Sequence, residues 1–146
     1  MYKHILLPTD GSELSQRAIK LGLTFAGEIG AKVTGLHVTR HFYHLVDYYG
    51  EISAEALAKY DETAKEQAKG YIQFAEHAAK AANVPFEGVV TMSESPYESI
   101  IETAEKQGCD LIFMASHGRK GLQGLLIGSE TLKVLTHCNI PVLVCR

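Results

Sequence analysis

Two stretches of the chain hold residue types whose spacing could do chemistry. The first is Pro8-Thr9-Asp10-Gly11-Ser12, a carboxylate and two hydroxyls around a glycine, directly after an apolar run. The second spans 111–131, LIFMASHGRKGLQGLLIGSET: apolar through Met114 and Ala115, then Ser116-His117-Gly118, further glycines at 121, 124 and 128, and finally Ser129-Glu130-Thr131. Read as strand, glycine-rich loop and helix start, the second stretch exposes backbone N–H groups at the positive end of a helix dipole. Such a surface receives an anion, phosphate above all. Gly118 and Gly128 let backbone come within reach of ligand oxygens, and the Ser129 hydroxyl with the N–H groups of Ser129 and Glu130 supplies donors. Asp10 has two open readings: it hydrogen-bonds a base or ribose or sits near a metal, or it makes an Asx turn before a helix. His117 likewise reads either as a base for nucleotide hydrolysis or as a packing and hydrogen-bonding residue.

Rival motifs are missing. No GxxxxGK[ST] is present, and the turn PTDGSE lacks the GxGxxG of dinucleotide sites. Met114-Ala115-Ser116-His117-Gly118 half-matches the GxSxG nucleophile elbow, but that chemistry needs an acid and then a histidine downstream. His137 is the one later histidine, near a helix end away from the strand tops.

The elements that must position these residues follow from periodicity. Lys3 to Pro8 reads as a strand buried on both faces. Ser12 caps a helix in which Glu13 favours the first turn, Ala18, Leu21, Phe25 and Ile29 recur at helical spacing, and Gly30 ends it. Ala31 to Val38 is a second strand whose interior Gly35 marks close approach. From Thr39 to Ile52 the pattern dissolves into His41, Phe42, Tyr43, His44, Tyr48 and Tyr49, read either as a metal or aromatic site or as cover for apolar surface. Ser53 to Ala82 is a long amphipathic helix with Leu57, Tyr60, Ala64, Ala68, Tyr71, Phe74 and Ala78 on its apolar side. Phe86 to Met92 is a third strand. Ser95, Pro96 and Glu98 form a helix start with a capping box, and Gly108 stops that helix after Lys106. Cys109 to Ala115 is strand four, 129–136 a helix, and Ile140 to Cys145 strand five. Such alternation implies a single domain over 1–146, a three-layer α/β/α sandwich on a five-stranded parallel sheet. With order 3-2-1-4-5, ligands sit at the switch point between strands one and four, where both reactive stretches emerge.

The chain has 146 residues, 46% hydrophobic and 21% charged, with net charge -3. That length buries about 70% of the unfolded surface without a metal or disulfide staple. The charge speaks against nucleic acid and anionic membrane as partners. No apolar run approaches a membrane span of about 20 residues, and a cytoplasmic protein is the expectation. Cys109, Cys138 and Cys145 form no CxxC pair and read as buried thiols.

With these residues in view, the chain resembles the universal stress protein family along essentially its whole length. The resemblance rests on Pro8-Thr9-Asp10-Gly11-Ser12, Leu36-His37-Val38, Ala115-Ser116-His117-Gly118, nine residues, Gly128-Ser129, and the closing Pro141-Val142-Leu143-Val144. It implies the fold already inferred, in the adenine-nucleotide alpha-hydrolase-like group, and a homodimer paired through the last strand, Ile140 to Cys145. An exposed edge strand there is a ready partner for itself. The resemblance also implies ATP or another adenine nucleotide as ligand, with or without Mg: Gly118, Gly128, Ser129 and Glu130 at phosphates and ribose, and Pro8, Asp10, Val38 and Met114 at the adenine end, with Thr9, His117 and Thr131 alongside. In the family's nucleotide-binding spacing Ala115 stands where the binders carry glycine. If the site needs a left-handed backbone there, Ala costs about 1–2 kcal/mol, roughly ten- to thirtyfold in affinity. The expected function is a dimeric stress-response protein that uses nucleotide occupancy to bias partner contacts. The alternatives are a nucleotide-independent interaction protein of the same fold and a slow ATP hydrolase.

Overall fold

The computed structural model describes residues 1–40, 51–119 and 126–146. The histidine- and tyrosine-rich stretch from His41 to Tyr49, and Lys120, Gly121 and Gly124, lie outside the described residues. In chain order the elements are β1 (His4–Pro8), α1 (Glu13–Ile29), β2 (Lys32–Thr39), α2 (Ala54–Ala81), β3 (Phe86–Met92), α3 (Pro96–Gln107), β4 (Leu111–Ala115), α4 (Ser129–His137) and β5 (Val142–Cys145). The strands pair in parallel in the order β3-β2-β1-β4-β5, so the anticipated switch point lies between β1 and β4.

The pleat sends alternate residues of each strand to opposite faces. Ile5 and Leu7 of β1 join Leu111, Phe113 and Ala115 of β4 in a cluster with Ile19 and Leu23 of α1 and Ala75 and Ala79 of α2. Leu6, Leu36, Ile112 and Met114 form the other cluster, with Ile100 and Ala104 of α3 and Val134 of α4. Ile5, Leu6 and Leu7 are wholly buried, each contributing roughly 1.5–3 kcal/mol. Gly22 of α1 sits where a β-carbon would come within 2.5 Å of Leu7 Cδ2, and Gly35 of β2 where one would come within 2.5 Å of Phe86 Cζ. Helix α1 therefore approaches β1 more closely at Gly22 than a larger residue would permit, and at Gly35 the Phe86 ring of β3 packs over bare β2 backbone.

Local signals explain most boundaries. Ser12 Oγ accepts from Ser15 N and Ser53 Oγ from Ala56 N, while Gly30 and Gly108 end their helices in the left-handed region at φ 67°. Four expectations need correction. Leu21 is half exposed, because the buried stripe of α1 runs through Ser15, Ala18, Ile19, Gly22, Leu23 and Ala26, one position away. Leu57 and Tyr60 are exposed, and α2 is buried only from Ala68 onward. Ser95 makes no side-chain cap, and Glu98 accepts from the Tyr97 hydroxyl instead of closing a capping box. The α3 N-terminus is served from another helix: Tyr97 N donates to Glu130 Oε2 at 3.0 Å. Finally, of the three thiols only Cys109 is buried, and burial pushes its pKa up to about 11.

At the sheet end remote from the switch point, Asp110 accepts from the backbone N–H groups of Lys3 and His4. The buried His4 ring places Nε2 2.8 Å from Thr34 Oγ1. Burial, and then the nearby Lys32 charge, hold the His4 pKa below 6.5. The folded chain thus keeps His4 neutral at a pH where the unfolded chain already binds a proton. This contribution is complete above the unfolded pKa of about 6.5 and declines as pH falls below it. The urea midpoint of the wild type should drop as pH falls below about 6.5 more steeply than that of His4→Gln, and equal slopes would remove His4 as the cause.

Candidate functional site

The β1–α1 turn is fixed by its own polar groups. Thr9 N donates to Leu36 O at 2.8 Å, carrying the turn onto the end of β2. Thr9 Oγ1 lies 3.0 Å from Ser15 Oγ and accepts from Gly11 N. Asp10 Oδ1 accepts from Ser12 N at 3.0 Å, an Asx turn, and its other oxygen, Oδ2, accepts from Arg119 N at 2.6 Å. Asp10 therefore ties the β1–α1 turn to the loop after β4. Burial pushes its pKa up, but hydrogen bonds from Ser12 and Arg119 outweigh this and hold it below the usual 3.8. Gly118 makes the clasp possible, because a β-carbon there would lie 2.5 Å from Asp10 Oδ2.

The start of α4 hangs from the end of β4. Ser116 N donates to Cys145 O at 2.7 Å and Gly128 N to Ser116 O at 2.6 Å. Thr131, buried, donates its hydroxyl to Ala115 O at 3.0 Å. Gly128 is extended, at φ -72°, so the need for glycine there is proximity: a β-carbon would meet His117 Cα and Ser116 O at 3.2 Å. Gly128 brings no capping side chain to α4. The Ser129 side chain is exposed, with no hydrogen bond to another described residue. Glu130 turns its carboxylate to Tyr97 N and Lys133 Nζ, leaving its backbone N–H as its possible contribution to an anion site. His117 Nδ1 lies 2.9 Å from Ser116 Oγ, and Nε2 is buried without a hydrogen-bond partner among the described residues.

Alternation divides the remaining candidates. Val38 and Met114 lie in the α3/α4 cluster together with Tyr97, and Pro8 follows the same face as Leu6. They form an apolar floor on the side where α4 begins. Ala115 belongs to the opposite cluster. Its backbone is not left-handed, since Asn83 alone has positive φ among the described non-glycine residues. The strain considered for alanine at this position does not arise, and its methyl group packs toward α1.

Three residues make contacts here that spacing alone does not predict. His37 Nδ1 donates to Thr9 O at 2.9 Å. Tyr71 of α2 meets the His37 ring edge-on at 5.0 Å between centroids, and the Arg119 guanidinium lies 5.0 Å from the Tyr71 centroid. The Arg119 side chain is thus held on the α2 side, on the opposite face from the Val38 and Met114 floor. Among the described residues no cluster of three or more His, Cys, Asp or Glu could hold a metal ion, and no helix is long and apolar enough to cross a membrane.

Fold and site together define a doubly wound α/β domain whose two candidate loops meet at its switch point. Comparison with known proteins carries this to a family. The family model described as "Universal stress protein family" matches residues 1–146, and the chain belongs to that family. Universal stress protein MJ0531 of Methanocaldococcus jannaschii is 33% identical, over 100% of this chain and 83% of its own length. The solved structure of MJ0577 from the same organism superposes with a TM-score of 0.82 at 30% identity, covering 99% of this chain and 95% of that one. A universal stress protein solved in complex with cAMP shares the fold with a TM-score of 0.74 at 21% identity, covering 99% and 97%.

Proposed function

We propose that this chain binds an adenine nucleotide at the crest between β1 and β4, and that occupancy biases its contacts with protein partners. The observation that carries the reading is the uncapped start of α4. The first N–H groups of any helix lack intrahelical acceptors. In α1 and α2 a serine side chain serves them, in α3 the Glu130 carboxylate serves them, and in α4 no side chain among the described residues does. A phosphate placed there gains the N–H groups of Ser129 and Glu130 and the helix dipole. The adjoining Val38, Met114 and Pro8 offer an apolar surface to a base. The cAMP complex of a relative supports an adenine ligand, and the family as a whole supports a stress-related role.

The reading includes a cytoplasmic homodimer paired through Val142–Cys145, a short edge strand on which Leu143 is exposed. ATP, ADP and AMP are the ligands to test, with and without Mg. Calorimetric titration of the unliganded chain should give saturable heat with one nucleotide per chain. Absence of heat at millimolar nucleotide overturns the nucleotide reading and leaves the interaction-protein alternative.

A further inference from the structure

The sheet has a second edge, β3, remote from β5 in the strand order. Its pairing with β2 runs without a bulge from Val33–Phe86 to Thr39–Met92. Val33 N donates to Pro85 O at one end of this ladder and Ser93 N to Thr39 O at the other. Parallel pairing alternates, so Glu87, Val89 and Thr91 turn their backbone groups to β2, and Gly88, Val90 and Met92 turn theirs outward. No proline interrupts the strand and no described strand covers it. Edge strands are ordinarily blunted by such devices.

Side chains beside this edge differ by face. Val90 and Met92, on the α2 side, are 49% and 53% exposed. On the α3 side a cavity of about 360 Å³ opens between β3 and α3, lined by Thr91, Ser93, Ser99, Glu98, Glu102 and Lys106 among others. Two carboxylates, Glu98 and Glu102, thus line the cavity with one ammonium, Lys106, which Glu102 already pairs at 3.4 Å.

We propose that β3 is a docking edge for an extended segment of a partner protein in which basic and apolar residues alternate. Added as a sixth strand, the segment meets the outward N–H and C=O groups of Gly88, Val90 and Met92. Its apolar residues cover Val90 and Met92, and the intervening basic residues enter the groove beside Glu98 and Glu102. The period of two in the ligand matches the division between the two faces of the edge.

The probe is a fluorescein-labelled heptapeptide alternating lysine and valine, with a glutamate and valine counterpart, followed by anisotropy and by amide chemical shifts. The lysine peptide should bind saturably and shift the amides of Gly88, Val90 and Met92. Val90→Pro removes an outward donor while sparing the β2 ladder and should weaken binding at least about tenfold. Glu98→Lys combined with Glu102→Lys should weaken the lysine peptide and favour the glutamate one, with the fold retained by circular dichroism. Absence of binding at millimolar peptide overturns the proposal, as does equal binding by the Val90→Pro protein. Self-association of the wild type that Val90→Pro abolishes also overturns it, in favour of a second copy of this chain.

Discussion

Gly128→Val is expected to lower nucleotide affinity about a hundredfold or more and to reduce the unfolding temperature by about 5–10 °C. The residue is extended, so valine meets no backbone obstacle. The difficulty is space, because the first added carbon already lies 3.2 Å from His117 Cα and Ser116 O, and both are backbone atoms that cannot rotate away. Two further methyl groups force the start of α4 off the end of β4 and break the 2.6 Å bond from Gly128 N to Ser116 O. Overpacking costs about 1–3 kcal/mol, and the lost hydrogen bond about 0.5–1.5 kcal/mol. The affinity loss follows because the N–H groups of Ser129 and Glu130 move with the helix. Hydrogen bonds to a charged group contribute roughly 1.5–3 kcal/mol each, and displacing two of them accounts for the hundredfold. Calorimetry at a temperature where the variant is still folded separates the two effects. Unchanged affinity in a folded Gly128→Val protein would place the phosphate elsewhere than at α4.

The order of elements was legible in the sequence because each strand here is either a short apolar run or a run bounded by turn residues. Ile5 to Leu7 and Leu111 to Ala115 need no tertiary information to be read as strands covered on both faces. Ser12, Gly30 and Gly108 act within one helical turn, and all three occupy the caps anticipated for them, while Ser53, expected inside its helix, caps it in the same way. Ser95 does not, because its competitor is 35 positions away: the Glu130 carboxylate delivers charge to the α3 N-terminus, and no local pattern announces it. The same limit governs the crest. Asp10 and Gly118 can be named from spacing, whereas the bond from Arg119 N to Asp10 joins residues 109 apart in sequence. Tyr71 looked like one more apolar position on a long helix, and its place against the β1–α1 turn depends on how α2 crosses the sheet.

That placement gives Gly11→Ala the second large effect: a loss of about 2–5 kcal/mol in stability, on the order of 10 °C in unfolding temperature, with a loosened Asp10 turn. Two causes act together. Gly11 sits at φ 77°, in the left-handed region, which costs an alanine about 1–2 kcal/mol. In addition, the three atoms nearest an added β-carbon all belong to the Tyr71 ring, at overlapping separation. Alanine has no rotamer with which to escape, so the ring must swing, and it is held by His37 on one side and Arg119 on the other. Displacing it adds about 1–3 kcal/mol and disturbs the groups around the Thr9 carbonyl and the Asp10 clasp at once. A double-mutant cycle separates the two causes. Tyr71→Ala in the Gly11→Ala background removes the overlap but leaves the backbone strain, so the double variant should be less destabilised than the sum of the singles by about 1–3 kcal/mol. Strict additivity in urea unfolding would mean that the ring is not what Gly11 accommodates, and the whole cost would then belong to the backbone.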